Sequence, residues 1–261
     1  MLVLAVSLLV AAAPGKADAG PADGRSLYYA RVVTPADLAG RSLRELTLMR
    51  NVIYARAGNP FRRKWLHDYF AQQPWYVAEE VMDDSRVTEL DTANAEAIAA
   101  YESALTSAQL LEQRDLVRAR VKAAGKATEE QLIELKLLSV RLGGWAGEGD
   151  PPANLSALED PRQLDRLLTL KELDDFSPRD LKLLRNTIFA RWGRAFVTPL
   201  VKGHFSTVTW YQADPKYTDQ KLTPVDLKNV QLIASVEKQI KRSKSQLQSK
   251  DGPPDGWYGA A

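Results

Sequence analysis

The 261-residue chain contains no cysteine and only two histidines, His67 and His204. Disulfides, thiol nucleophiles and cysteine-based zinc sites are therefore excluded, and a histidine-rich metal centre lacks its ligands. An excess of one charge is missing as well: 35 Lys plus Arg face 33 Asp plus Glu, a formal +2, with no long run of either sign. A nucleic-acid footprint needs a basic stripe, so nucleic acid is not an expected partner. No apolar run reaches the roughly 20 residues of a membrane-spanning helix. No G-x-S-x-G elbow or S-x-x-K context surrounds a serine, and Gly143-Gly144 is not followed by the Lys-Ser or Lys-Thr of a phosphate loop. The carboxylate pairs Glu79-Glu80 and Asp83-Asp84 are only half kept at the matching places further along, Asp214 and Asp219. These absences predict a protein that is not an enzyme and has no cofactor and no metal.

What is present is enough apolar material, 45% of residues, for one large core or two small ones. An apolar stretch of about a dozen residues begins at Leu2, and Ala17-Asp18-Ala19 follows it. That is the length of a signal-peptide core with an A-x-A cleavage site, although no basic residue precedes it. It predicts export to the periplasm or the outside, with cleavage after Ala19, and a mature chain without a transmembrane segment.

The chain repeats itself. Residues 44–103 align without a gap on residues 179–238, and about 20 of the 60 positions are identical. Arg50, Asn51, Ile53, Ala55, Arg56, Gly58 and Phe61 face Arg185, Asn186, Ile188, Ala190, Arg191, Gly193 and Phe196. Phe70, Trp75 and Tyr76 face Phe205, Trp210 and Tyr211, and Asp91, Asn94, Ile98 and Glu102 face Asp226, Asn229, Ile233 and Glu237. The last four are spaced three, four and four, which places them in one stripe of a helix.

The spacing predicts an all-α fold of two small helical modules joined by a helical connector. Thr34-Pro35-x-Asp37 and Ser177-Pro178-x-Asp180 read as helix starts, as does Ser42-x-x-Glu45. In this reading the motif helix opens directly in the second copy and follows a short helix in the first. Gly58 and Gly193 supply the left-handed residue at its end. The expected division is a signal peptide (1–19), a flexible segment (20–33), module 1 (34–103), a connector (104–142), a Gly/Pro linker (143–160), module 2 (161–247) and a disordered tail (248–261). The last helix of module 1 is expected to run on to about Lys122, break at Ala124-Gly125 and resume from Thr128 to Leu142, and Pro161–Leu173 is expected to be one helix.

The strings Tyr54-Ala55-Arg56-Ala57-Gly58 and Phe189-Ala190-Arg191-Trp192-Gly193, each preceded by Arg-Asn-x-Ile and followed by a Phe and a Trp-Tyr pair, resemble the YARHG domain. The family's histidine is replaced by Ala57 and Trp192, and its tyrosine by Phe189 in the second copy. The resemblance implies an extracytoplasmic module of bacterial envelope and secreted proteins, with cell-wall association as the suggested role.

The signature residues Arg50, Asn51, Tyr54, Arg56, Gly58, Trp75, Tyr76, Arg185, Asn186, Phe189, Arg191, Gly193, Trp210 and Tyr211 are thus candidates for binding or for holding the module together. For the arginines the structural reading is favoured: ion pairs with Asp91, Glu102, Asp226 and Glu237 that lock the first module helix to the last. Trp75 and Trp210 are expected to plug a small core, with stacking on a sugar ring as the alternative. Both histidines are expected to face solvent. The expected function is non-catalytic binding of a cell-envelope component, peptidoglycan or an envelope protein. The alternative is an assembly role, in which the apolar stripe Leu110, Val117, Val121, Leu132, Leu135, Leu138 and Leu142 of the connector mediates oligomerisation.

Overall fold

A computed structural model describes residues 25–248, with side chains to residue 241. Ten α-helices and no strand occur among the described residues. Module 1 comprises α1 (Pro35–Leu38), α2 (Leu43–Arg56), α3 (Lys64–Ala71) and α4 (Glu89–Ala104). The connector is α5 (Ser107–Ala124) and α6 (Glu129–Leu142). Module 2 repeats the first with α7 (Leu170–Leu173), α8 (Pro178–Ala190), α9 (Pro199–Phe205) and α10 (Pro224–Gln248). In each module the motif helix packs on the last helix, α2 on α4 and α8 on α10, while α6 lies against both α5 and α2.

Reciprocal capping boxes fix where these helices begin: Ser42 with Glu45, Thr88 with Asp91, Thr106 with Gln109, Thr128 with Gln131, Ser177 with Asp180 and Thr223 with Asp226. Each box satisfies backbone donors that the first helical turn leaves bare. The Thr106 box explains one departure from expectation. The helix of module 1 does not run on to Lys122 but ends at Ala104, and α5 starts afresh after buried Leu105. Gly125 and the Thr128 start fall where expected.

The segment Pro161–Leu173 is not one helix. It is a 3-10 turn (Pro161–Asp165), an extended stretch and then α7. The reason is Asn229, whose side chain accepts from Leu168 N at 2.9 Å and donates to the carbonyls of Arg166 and Leu164, spending those backbone groups outside any helix. Asn94 does the same in module 1, accepting from Val33 N at 2.8 Å and donating to Arg31 and Tyr29. Residues 25–33 are accordingly packed rather than flexible, with Leu27 and Val33 buried. A short helix therefore precedes the motif helix in both copies, since Thr169 and Glu172 cap α7 as Thr34 and Asp37 cap α1. Nor is 143–160 a free linker, because Ala146, Leu155, Ala157 and Leu158 are buried. The signal peptide and, past Gln248, the tail lie outside the described residues.

Candidate functional site

The conserved spacing of the repeat resolves into one polar seam per module. Arg50 pairs with Glu102 at 2.8 Å with both side chains buried, and Arg185 pairs with Glu237 at 2.9 Å nearer the surface. The second arginine of each motif sits more loosely: Arg56 is 3.9 Å from Asp91, and Arg191 is 4.0 Å from Asp226. The true donors to these aspartates lie elsewhere. Tyr28 Oη donates to Asp91 at 2.7 Å and Trp192 Nε1 to Asp226 at 3.0 Å. Burial acts to raise the Asp91 carboxyl, yet the hydrogen bonds from Tyr28 and Thr88 hold it below the usual range. Arg56, half exposed, stacks on the Tyr28 ring at 4.6 Å, and Arg191 reaches Asp165.

The remaining signature residues also serve the scaffold. Asn51 and Asn186 donate to carbonyls one turn back, at Thr47 and Lys182. Tyr54 and Phe189 are buried, the latter under Arg194. Tyr76 and Tyr211 donate to the carbonyls of Asn59 and Arg194, each at 2.8 Å. Gly58 and Gly193 have φ of 81° and 86°, the left-handed region that favours glycine. The tryptophans correct the core expectation: Trp75 is 44% exposed and Trp210 39%. Trp75 meets Phe70 and Tyr76 edge-on, and Trp210 Nε1 donates to the carbonyl of Gly143. His67 faces solvent, but His204 is buried, and burial together with Arg141 and Arg179 pushes its imidazole down to about 3.

The residues that join the modules were not visible as a pattern. Glu134 of α6 accepts from Leu43 N at 3.0 Å and Arg44 N at 2.7 Å, capping α2 from outside. Arg63 forks onto Asp180, the capping carboxylate of α8. At the C-terminal end of α6 the carbonyls of Arg141 and Leu142 accept from Thr207 Oγ1 and Thr209 N. Such contacts either reach α6, which lies outside the repeat, or use residues that differ between the copies, as Arg63 faces Thr198 and Asp180 faces Glu45, so sequence symmetry does not reveal them.

Between α3, α6 and the stretch 153–176 the modules enclose a cleft of about 660 Å³. Leu132, Ile133, Leu137, Val140 and Phe176 supply apolar lining, Trp65 an aromatic face, and Lys64, Lys136, Lys171 and Glu159 charges of both signs. Burial pushes the Glu159 carboxyl up against the opposing pull of Ser156 and Lys136. Among the described residues no group of three or more His, Asp or Glu is placed to hold a metal ion.

Fold and seam together define a tandem all-helical module, duplicated and joined across a cleft. The chain belongs to the YARHG domain family, whose sequence profile matches residues 25–103 and 158–238. The family is one of exported proteins, and no described helix is long and apolar enough to cross a membrane. No curated protein and no solved structure matches the chain.

Proposed function

We propose that this is an exported, non-catalytic protein that holds a cell-envelope component, peptidoglycan in the first instance, in the cleft between its two modules. The observation that carries the reading is the cleft itself: about 660 Å³, lined by apolar side chains of α6 and by charges of both signs, among them Lys64, Lys136, Lys171, Glu129, Glu159 and Asp175. A site of that size suits a small ligand, and a lining that carries many charges of both signs beside its apolar side chains suits the amino and carboxylate groups of a wall peptide. The signature residues support the reading indirectly. Apart from the exposed tryptophans they are engaged in packing, and none of them lines the cleft, so the family motif holds together the modules on either side of it.

The experiment is co-sedimentation of the purified protein with peptidoglycan sacculi, beside the variants Lys136→Glu and Trp65→Ala, with Trp75→Ala as the control outside the cleft. Binding that survives in Trp75→Ala and is lost in the two folded cleft variants is the expected result. Absence of sedimentation, or loss only in Trp75→Ala, overturns it. The assembly alternative has lost most of its surface, since Leu110, Leu135, Leu138 and Leu142 are buried within the chain itself.

A further inference from the structure

Where α2, α6 and α8 meet lies a second, smaller cavity of about 90 Å³, whose lining shares Arg63, Leu137, Val140 and Asp180 with the large cleft. Four guanidinium groups line it, those of Arg50, Arg63, Arg141 and Arg179, against two carboxylates, Glu102 and Asp180. Both carboxylates are already engaged, Glu102 by Arg50 and Asp180 by Arg63. The one other titratable group in the lining, His204, is neutral at physiological pH. Two positive charges thus remain without a carboxylate partner, those of Arg141 and Arg179.

The hydrogen-bond inventory agrees with the charge count. Arg50 is 7% exposed, and its Nε has no acceptor; Arg141 Nη2 has none either. Buried guanidinium nitrogens ordinarily find partners, and an unpaired buried charge is strongly unfavourable. Burial, followed by repulsion from Arg50, brings the Arg179 guanidinium down to about 10. Only an anion relieves all of these at once. Guanidinium forks match planar or tetrahedral oxyanions in geometry, and a cavity this small admits a single charged end group rather than a sugar ring.

We propose that this junction is an oxyanion pocket that takes the terminal carboxylate or phosphate of the molecule lying in the adjoining cleft. The proposal rests on the cleft being the binding site. It adds the chemical class of the ligand's end and makes Arg179 and Arg141 its specificity-determining residues.

The test is thermal melting of the purified full chain in chloride, with acetate, phosphate or sulfate substituted at matched ionic strength. At about ten times the dissociation constant one of the oxyanions is expected to raise Tm by roughly 3 °C over chloride; the arm that responds tells carboxylate from phosphate. In Arg179→Gln the increment is expected to vanish, while Tm in chloride stays equal or rises because a half-buried charge without a carboxylate partner has gone. Should that variant not fold, Arg141→Gln is held to the same criterion on the anion increment. Equal melting in chloride and every oxyanion, or an increment that persists in the variant, overturns the pocket. Oxyanion stabilisation without sacculus binding overturns the wall reading alone, and sacculus binding without oxyanion stabilisation overturns the pocket alone.

Discussion

Arg50 and Arg56 stand six residues apart on one helix and recur together in the second copy, yet they carry unequal loads. Arg50 is the partner of a buried carboxylate, Glu102, whereas Arg56 is half in water and meets an Asp91 that Tyr28 and Thr88 already satisfy. Removing Arg50 takes its hydrogen-bonded partner from a buried carboxylate and leaves a gap beneath it, and removing Arg56 deletes a contact of the exposed kind that is worth little. Arg50→Ala is expected to cost about 3 kcal/mol and Arg56→Ala under about 1 kcal/mol. Urea denaturation of the two variants checks this, and equal losses would show the difference in burial to be irrelevant. The pairing of Arg50 with Glu102 was legible because both residues recur at one offset. The partner of Asp91 was not, because the two copies solve the same need differently. Trp192 stands where the first copy has Ala57, and its indole N–H does for Asp226 what the Tyr28 hydroxyl does for Asp91.

At the scale of helices, the ends were more telling than the lengths. Ser42, Ser177, Thr128 and Gly125 marked real termini, because capping chemistry is local. Thr106 was overlooked since its box sits between two helix-favouring stretches, and Pro161–Leu173 misled because Asn229, some sixty residues away, holds it extended. The helix ends at Gly58 and Gly193 look alike in sequence but not in surroundings. A Cβ at Gly58 would meet Glu79 Cγ at 2.8 Å, and the side chain can turn away only by giving up its surface pairing with Arg86, which is worth little. One at Gly193 would meet Asp214 Cβ at 2.7 Å and its backbone nitrogen at 3.1 Å. Both substitutions incur the left-handed penalty of about 1 kcal/mol. Gly58→Ala is therefore expected to cost about that much, and Gly193→Ala at least about 2 kcal/mol. Melting of the two single variants decides it, and a Gly58→Ala loss as large as the Gly193→Ala loss would place the strain in the backbone alone.

Across the whole molecule two buried groups act on the pH dependence in opposite senses. Burial raises the Glu134 carboxyl to about 7, although Arg44 N and Leu43 N favour its charged form, and His204 is lowered to about 3. A raised carboxyl contributes stability that is complete below its unfolded value, near 4.5, and lost as pH climbs through 7. A lowered imidazole contributes stability present above 6.5 and lost as pH falls toward 3. Between about 4.5 and 6.5 the two slopes, each about 1.4 kcal/mol per pH unit, cancel. Glu134→Gln is expected to expose the histidine slope, with stability falling on acidification from 6.5. His204→Asn is expected to expose the opposite slope, with stability falling as pH rises from 4.5 to 7. Urea denaturation across that range is the measurement, and variants that retain the slope of the parent chain would contradict the assignment. Neither group was recognised in advance: Glu134 lies in an ordinary amphipathic helix, and a lone histidine carries no mark of its depth.

The helix that Glu134 belongs to is held by both copies of the repeat, in its N-terminal half by the first and at its C-terminal end by the second. Its carboxylate caps the motif helix of the first, and its last carbonyls are closed by Thr207 and Thr209 of the second. Gene duplication leaves two copies free to drift apart or be lost singly, but here each has become part of the other's folding. Cutting one copy out would strip α6 of one of its two sets of partners, so mutations in either copy are answerable to the stability of both.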